Sequence, residues 1–380
     1  MHRRSGDPRH LYWTVFVFSG AALTLIGPAL TELRDRTGTD IGDIGVLFVA
    51  QSLGGVVGSL VAGHLLDRFD GHRVYAAAAI SMALGQASVP FLDSIRQLAV
   101  AFAVIGFGAL ALSTASNSLI MWWRGADVGR GLNLLHLWFG VGAIIAPLLA
   151  LIAVDVAFLL SAAAVGLIGS ATLMIDSPRP VHLKRDDQMT TTAPVILLAA
   201  VFFAFYVAFE LGYSGWLHTY GIERGLPPAA ASWLNSSFWI AFTLGRAAVA
   251  FRRVMPAPKV VVAASLAVAL GGSSLLVAGS AGAGPLIWVG TILAGLGAAA
   301  QFPMMMTYLD RRIVTTGRFT SIMLAAAAGG NLAAPWLIGR AIDSWGPMSL
   351  MWAALIIASA LSLVFAALNR LLGAPTTGLV

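Results

Sequence analysis

The sequence predicts an all-α membrane protein with twelve transmembrane helices. Apolar residues make up 58% of the 380 residues and charged residues 11%, and the mean hydropathy is +0.84. Soluble domains carry about a quarter charged residues, so water is not the main solvent of this chain. Twelve apolar runs are each long enough to cross a hydrocarbon core of about 30 Å. They cover residues 11–31, 42–66, 74–92, 96–120, 131–153, 156–175, 194–220, 229–251, 260–279, 285–308, 319–341 and 348–370.

Each run is predicted to be a helix. Lipid offers backbone groups no hydrogen-bond partners, and a helix satisfies those groups internally. The runs are continuously apolar and do not alternate, which argues against the strands of a barrel. The chain has no cysteine, so disulfides, thiolate metal sites and thiol chemistry are excluded.

The Lys and Arg residues between the runs predict the orientation. With the N-terminus inside, 17 of the 23 fall in cytoplasmic segments. The positive-inside rule then places both termini in the cytoplasm of a multi-pass protein, in a bacterial inner membrane or a plasma membrane. Because these residues are spread between the spans, the pI near 10.2 does not indicate nucleic acid as a partner.

The longest polar stretch, 176–193, divides the runs into two sets of six. The sequence therefore predicts two bundles, a linker and two short tails. Their bounds are 1–10 for the cytoplasmic N-tail, 11–175 for the first six-helix bundle, 176–193 for the cytoplasmic linker, 194–370 for the second bundle and 371–380 for the cytoplasmic C-tail.

The two halves are related by an internal repeat. Five identities share an offset of 188, which indicates a duplication in which span five corresponds to span eleven. In transporters built from parallel six-helix repeats, the substrate site lies between the halves near the midplane. The matched residues are Gly129 and Gly317, Arg130 and Arg318, Gly142 and Gly330, Ala146 and Ala334, and Pro147 and Pro335.

The loop between spans two and three, 63–73, combines a carboxylate, a glycine turn and basic residues. Asp67 ends one span and could meet the positive N-terminal end of a neighbouring helix. Arg68 and Arg73 could anchor on lipid phosphates or on partner carboxylates. The pattern predicts a cytoplasmic gate, and the alternative is an ordinary charged hairpin.

This loop resembles the signature of the major facilitator superfamily, Gly-x-x-x-Asp-Arg-x-Gly-Arg-Arg. Gly63, Asp67, Arg68 and Arg73 match it, whereas Asp70 and His72 depart from it. The resemblance implies the major facilitator fold, with two pseudo-symmetric six-helix bundles. It also implies that Asp67 and Arg68 pack against span eleven and help to hold the cytoplasmic side closed.

Parts of spans five, seven and eight resemble the fucose-permease-like and sodium-dependent glucose-transporter-like branch of that superfamily. The resemblance implies a monosaccharide or a related polar metabolite as substrate. Span four, 113–117, lacks the acidic residue that fucose-permease-type proteins have there, so the coupling scheme can differ. The similar segments are 205–220, Phe238-Trp239 with Gly245-Arg246, and Asn133 to His136 with Phe139-Gly140, Gly142-Ala143 and Pro147-Leu148.

Glu210 is the one acidic residue of the 17 that lies well inside a predicted span. A carboxylate in hydrocarbon is costly and usually faces a cavity, a partner or a translocation path. Glu210 is therefore our candidate for the ion-coupling residue, and it could also accept hydrogen bonds from sugar hydroxyls. The alternative is a structural Glu paired with a neighbouring helix.

Arg246 is the one basic residue deep in a span, and His136 lies at about the same depth in span five. Arg246 could hold substrate, join the halves by a salt bridge, or snorkel to the headgroups. His136 shares a face with Asn133 and Gly140, which suits either a cavity wall or a close helix contact.

The remaining candidates for substrate binding are amides and aromatic residues inside the spans. Aromatic rings stack on the apolar face of a sugar, and amides bind its hydroxyls. Since amides also join helices, we expect about half of the set to line a cavity. Together with Asn133, His136 and Arg246, the set is Gln51, Asn117, Tyr206, Tyr213, Trp216, Asn235, Trp239, Gln301 and Asn331.

These observations predict a secondary active transporter that works by alternating access. We expect an ion gradient to drive it, with H⁺ at Glu210 favoured over Na⁺. A small-molecule substrate, the coupling ion and membrane lipids are the expected partners, and the protein is expected to be a monomer.

No Walker, Gly-x-Ser-x-Gly or His-Glu-x-x-His motif occurs, so no enzyme activity, cofactor or metal is predicted. The alternatives are a proton-coupled exporter of drugs or natural products, a lipid flippase, and a non-transporting receptor.

Overall fold

A computed structural model describes residues 9–124, 128–178, 192–251, 256–279, 284–313 and 317–373. Within these ranges the chain forms fifteen α-helices and two short 3₁₀ turns, at Val89–Phe91 and Thr172–Met174. The helices are α1 Arg9–Thr24, α2 Ile26–Thr37, α3 Ile41–Ile44, α4 Val46–Leu66, α5 Gly71–Ser88, α6 Ile95–Arg124, α7 Val128–Ala150, α8 Val154–Ala171, α9 Ala193–Glu223, α10 Pro228–Ala250, α11 Pro258–Gly279, α12 Pro285–Ala299, α13 Gln301–Asp310, α14 Gly317–Trp345 and α15 Ser349–Gly373.

Nine segments in the described part of the chain are long and apolar enough to cross a membrane. A tenth is the pair α1 and α2, which meet at an angle of 45°. Helices α7 and α10 have 23 residues each, or about 34 Å of helix, and supply two further segments. The helices thus agree with twelve spans. We call the membrane face that carries Arg9 and Gly373 the near side, and the opposite face the far side.

Two of the spans are broken where a proline lies near the start of the second helix. Pro28 is the third residue of α2, and Pro303 is the third residue of α13. Proline has no N–H, so it cannot bond the carbonyl four residues earlier, and helices bend or break at such positions. The run predicted at 11–31 is therefore a bent span that continues to Thr37.

The internal repeat is visible in the packing. A Cβ on Gly142 of α7 would lie 1.7 Å from the carbonyl oxygen of Val17 in α1. A Cβ on Gly330 of α14 would lie 2.0 Å from the carbonyl oxygen of Ala204 in α9. Glycine allows this close backbone approach at the equivalent place in each half. Span five therefore packs on span one as span eleven packs on span seven.

Candidate functional site

A cavity of about 110 Å³ lies between the two halves, roughly the volume of four water molecules. None of the described residues that line it is charged. Its wall combines amides, hydroxyls and aromatic rings, contributed by both halves. The lining residues are Leu23, Thr24, Ile26, Phe48, Gln51, Ser52, Gly106, Leu110 and Phe139 from the first half, and Leu211, Ser214, Gly215, Trp239 and Asn331 from the second.

The polar part of the wall joins the halves. Asn331 Nδ2 donates to Ser52 Oγ at 2.8 Å, and Ser52 Oγ also lies 3.4 Å from the carbonyl oxygen of Asn331. Pro335 explains why that carbonyl is open to a side chain, because the proline cannot donate the helical bond to residue 331. Gln51, beside Ser52, is buried, and its Nε2 has no hydrogen-bond partner among the described residues. This amide is a donor available to a ligand in the cavity.

The aromatic part of the wall consists of Phe48, Phe139 and Trp239. Trp239 is 1% exposed, and its ring lies 5.4 Å from that of Phe242 in an edge-to-face arrangement. Gln51 of the first half and Trp239 of the second half thus present an amide and an indole to the same cavity.

A charged pair lies next to the cavity on its near side. Arg246 is seven residues from Trp239, two turns along the same face of α10. Its Nη2 lies 3.9 Å from Glu210 Oε1, and its guanidinium lies 4.2 Å from the centre of the Phe242 ring. The side chains of Glu210 and Arg246 remain 12% and 24% exposed, so solvent or a ligand can reach the pair.

Two further groups hold Arg246 in place. Its Nη2 donates to the Tyr206 hydroxyl at 3.3 Å. Its Nε donates to the carbonyl oxygen of Ala299 at 3.3 Å. This carbonyl is available because Pro303, four residues later, has no N–H to donate. The broken span ten therefore supplies one of the groups that position Arg246.

His136 faces the same region from the first half. It packs edge-to-face on Phe16 at 6.3 Å between ring centres, and it lies near enough to Arg246 for their charges to interact. Although it lies inside a spanning helix, its side chain is exposed. We infer that His136 faces a vestibule that leads from the cavity to the near side.

The far side of the cavity is closed by contacts between the halves. Arg34 Nη1 lies 2.9 Å from Glu223 Oε1, and Arg340 Nη1 lies 3.2 Å from Asp43 Oδ1. Trp216 is fully buried and donates through Nε1 to the carbonyl oxygen of Pro335 at 2.7 Å. That bond lies within the second half, whereas the Trp216 ring contacts the first half through Phe48, at 5.7 Å between ring centres. Trp216 is thus a packing residue between the halves, and it is absent from the cavity wall.

Other predicted residues bond a neighbouring helix or their own backbone. Tyr213 bonds Thr291 at 2.8 Å, Asn235 Nδ2 donates to the carbonyl oxygen of Ser214 at 3.0 Å, and Gln301 Nε2 donates to that of Gly297 at 3.0 Å. Asn117 Nδ2 donates to the carbonyl oxygen of Ser113 at 2.8 Å. The side chain of Asn133 lies outside the described residues. Of the predicted set, the structure thus brings Gln51, Trp239 and Asn331 together at the cavity, with Tyr206, Glu210, Arg246 and His136 beside it.

The predicted gate residues lie at the near side. Gly63 is close to the end of α4, and Asp67, Arg68 and Arg73 are exposed. Asp70 caps α5 by accepting a hydrogen bond from the backbone N–H of Arg73 at 3.2 Å. Residues 314–316, just before the near end of span eleven, lie outside the described residues, so the gate contact stays a prediction.

Several lining residues were not expected from the sequence, namely Thr24, Phe48, Ser52, Phe139 and Ser214. Hydroxyl residues are common in spanning helices, where many bond their own backbone, as Ser214 does to Glu210 at 2.7 Å. The sequence therefore gives no signal that separates a lining Ser or Thr from an ordinary one. Ser52 is the exception, since it adjoins Gln51.

Two helical halves with a site between them define a polytopic membrane transporter. Residues 12–335 match the model of the Major Facilitator Superfamily, and the chain belongs to that family. The family is one of membrane transporters and not of enzymes.

The chain is similar to curated members of the family. It is 26% identical over 373 residues to "Sodium-dependent glucose transporter 1" of Danio rerio, covering 85% of this chain and 62% of that one. It is 26% identical over 357 residues to the protein of the same name from Xenopus laevis, covering 84% and 72%. The chain therefore spans somewhat under two thirds of the length of the Danio rerio relative.

Solved structures share the fold. A bacterial homologue of the human lysosomal transporter Spinster, in an inward-facing and occupied conformation, has a TM-score of 0.72 at 12% identity and covers 97% of this chain and 98% of its own. The nucleoside transporter NupG has a TM-score of 0.71 at 16% identity, covering 95% and 99%.

Proposed function

We propose that this protein is a secondary active transporter of a neutral, hydroxyl-bearing solute, a monosaccharide or a related metabolite. The observation that carries the proposal is the cavity wall, in which amides, hydroxyls and aromatic rings from both halves meet without a charged side chain. Such a wall stacks on the apolar face of a sugar and bonds its hydroxyls. The names of the Danio rerio and Xenopus laevis relatives support the same substrate class.

We assign the near side to the cytoplasm, as the distribution of Lys and Arg predicts. The structure then corresponds to a state closed toward the outside, with His136, Glu210 and Arg246 reachable from the cytoplasm. Alternating access would break the contacts between the far ends of the halves and would form others at the near ends. The loop with Gly63, Asp67, Arg68 and Arg73 is our candidate for that second closure.

We propose that coupling occurs at Glu210, where the coupling cation competes with the Arg246 guanidinium for the carboxylate. A proton is our first candidate, because a carboxylate inside a span can take up and release one. Sodium is the second candidate, because the relatives carry sodium dependence in their names. Either cation would weaken the attraction between Glu210 and Arg246, and that change links ion binding to the contact between α9 and α10.

Uptake of labelled monosaccharides into proteoliposomes tests the proposal, with a pH gradient or a sodium gradient imposed in separate experiments. Replacing sodium by choline should abolish accumulation only if sodium is the coupling ion. Glu210→Gln should abolish gradient-driven accumulation and spare exchange counterflow. The neutral amide cannot bind and release the coupling cation, whereas exchange does not require that step. Unchanged accumulation would remove Glu210 from the coupling role. Absence of flux for any sugar, together with flux of a cationic dye, would favour the exporter.

A further inference from the structure

A second polar layer lies between the cavity and the far side, outside the wall already described. The buried polar atoms without a hydrogen-bond partner in the described part of the chain include one from each of four side chains in this layer. These atoms are Thr31 Oγ1, His218 Nδ1, Ser232 Oγ and Asn235 Oδ1. His218, Ser232 and Asn235 are 7%, 0% and 1% exposed. Buried polar groups left without a partner cost free energy, so a ligand or another conformation is expected to satisfy them.

The layer continues the cavity wall along two helices. His218 lies seven residues after Leu211 on α9, and Ser232 lies seven residues before Trp239 on α10. Seven residues are nearly two full helical turns, so each residue shares a face with one that lines the cavity. The displacement is about 10 Å toward the far side in both helices. His218 and Ser232 are therefore at one level above the cavity.

Thr31 of the first half lies at the same depth in the membrane as His218. A Cβ on Gly27 of α2 would lie 2.6 Å from the carbonyl oxygen of Gly215 in α9, and Arg34 pairs with Glu223 at 2.9 Å. Helices α2 and α9 run in parallel between these two contacts. Thr31, one turn beyond Gly27, therefore lies opposite the segment of α9 that carries His218.

Asn235 connects the layer to the cavity. Its Nδ2 donates to the carbonyl oxygen of Ser214, a residue of the cavity wall, while its Oδ1 remains free. An imidazole, two hydroxyls and an amide oxygen thus form a set of neutral donors and acceptors. Such a set suits a neutral solute with several hydroxyl groups.

We propose that Thr31, His218, Ser232 and Asn235, which we call the outer layer, form a second binding subsite for the transported hydroxyl-bearing solute. The solute occupies it when the far side opens, before it reaches the central cavity. The Arg34–Glu223 pair closes the layer from outside in the present state. This inference rests on the proposed function for the identity of the solute, but not for the position of the pathway.

Cysteine labelling tests the position. The chain contains no cysteine, so Ser232→Cys can be studied in the otherwise unaltered protein. We expect a membrane-impermeant maleimide added outside cells to label Ser232→Cys at least about tenfold faster than Trp233→Cys, because residue 233 is half exposed on the outer surface of the bundle, where lipid excludes the reagent. A saturating concentration of the transported sugar should slow the labelling of Ser232→Cys.

A second variant tests binding. His218→Ala should raise the half-saturating sugar concentration for entry from outside about 2- to 12-fold, the effect of losing one hydrogen bond, and should leave the value for exit unchanged. His10→Ala, at an exposed histidine in the first turn of α1 on the near side, is the matched control and should change neither value.

Equal labelling of Ser232→Cys and Trp233→Cys would overturn the proposal, as would labelling that a transported sugar does not slow. Equal shifts in the entry and exit values for His218→Ala would also overturn it. If the wild-type protein takes up no sugar, the proposed function fails. The labelling contrast between positions 232 and 233 would still decide whether the outer layer lines the pathway.

Discussion

Replacement of Ser52 by Ala should shift the protein toward the state that is open to the outside. Ser52 and Asn331 form a hydrogen bond of 2.8 Å between the halves, and both are at the cavity. A hydrogen bond between neutral groups contributes about 0.5–1.5 kcal/mol net. Its loss should therefore change the ratio of the two states by about 2- to 12-fold in favour of the outward-open one.

Exchange assays from each side measure this shift. A larger outward-open population raises the apparent affinity for outside solute and lowers the apparent affinity for inside solute, because only the competent fraction binds. Ser59→Ala is the matched control, since Ser59 bonds Thr114 at 2.8 Å within the first half. Combining Ser52→Ala with Asn331→Ala in a double-mutant cycle isolates the coupling energy between the two side chains.

Two results would refute the reasoning. If Ser52→Ala lowered the apparent affinity equally from both sides, the serine would act as a direct solute contact and not as a closure between the halves. If Ser59→Ala produced the same opposite shifts, the effect would come from the helix pair α4 and α6 and not from the interface.

Other substitutions probe the packing, the closure and the cavity. Gly330→Ala should greatly reduce the yield of monodisperse protein in size-exclusion chromatography, because its Cβ has no room, whereas Gly329→Ala faces open space and should not. Arg34→Ala and Glu223→Ala should each shift the state ratio by no more than about fivefold, since exposed ion pairs contribute at most about 1 kcal/mol, and the shift should shrink in high salt. Gln51→Leu should raise the half-saturating sugar concentration about 2- to 12-fold from both sides, since its free donor faces the cavity.

These predictions have distinct refutations. Equal yields of the two glycine variants would contradict the backbone contact between α9 and α14. A shift for Arg34→Ala that high salt leaves unchanged would show that the pair acts through packing. Wild-type transport by Gln51→Leu would exclude this amide from binding.

The sequence predicted most of the fold because lipid restricts the choice of structure. Long apolar runs can only be helices there. The offset of 188 predicted that span five corresponds to span eleven, and the similar contacts of Gly142 and Gly330 agree with that duplication. The breaks at Leu25 and Ala300 were not predicted, although Pro28 and Pro303 were visible signals. Mean hydropathy is an average of side-chain values over a whole run, so it does not change when a single backbone N–H is missing.

The site was predicted less completely, because residue type does not reveal the direction of a side chain. Glu210 and Arg246 were chosen for their charge, and the structure places them together beside the cavity. Trp216 and Gln301 were chosen by the same rule of polarity within a span, yet Trp216 bonds a neighbouring helix and Gln301 bonds the carbonyl oxygen of Gly297 in its own span.

The two kinds of contact in this molecule differ in how easily they come apart. Gly142 and Gly330 place backbone directly on backbone inside each half, and no side chain can rotate to release such a contact. Between the halves, the Arg34–Glu223 pair and the Ser52–Asn331 bond end on rotatable side chains. Each bundle is therefore expected to move as a rigid body. The conformational change is then confined to the interface between the two bundles, whose side-chain contacts can break at ambient temperature.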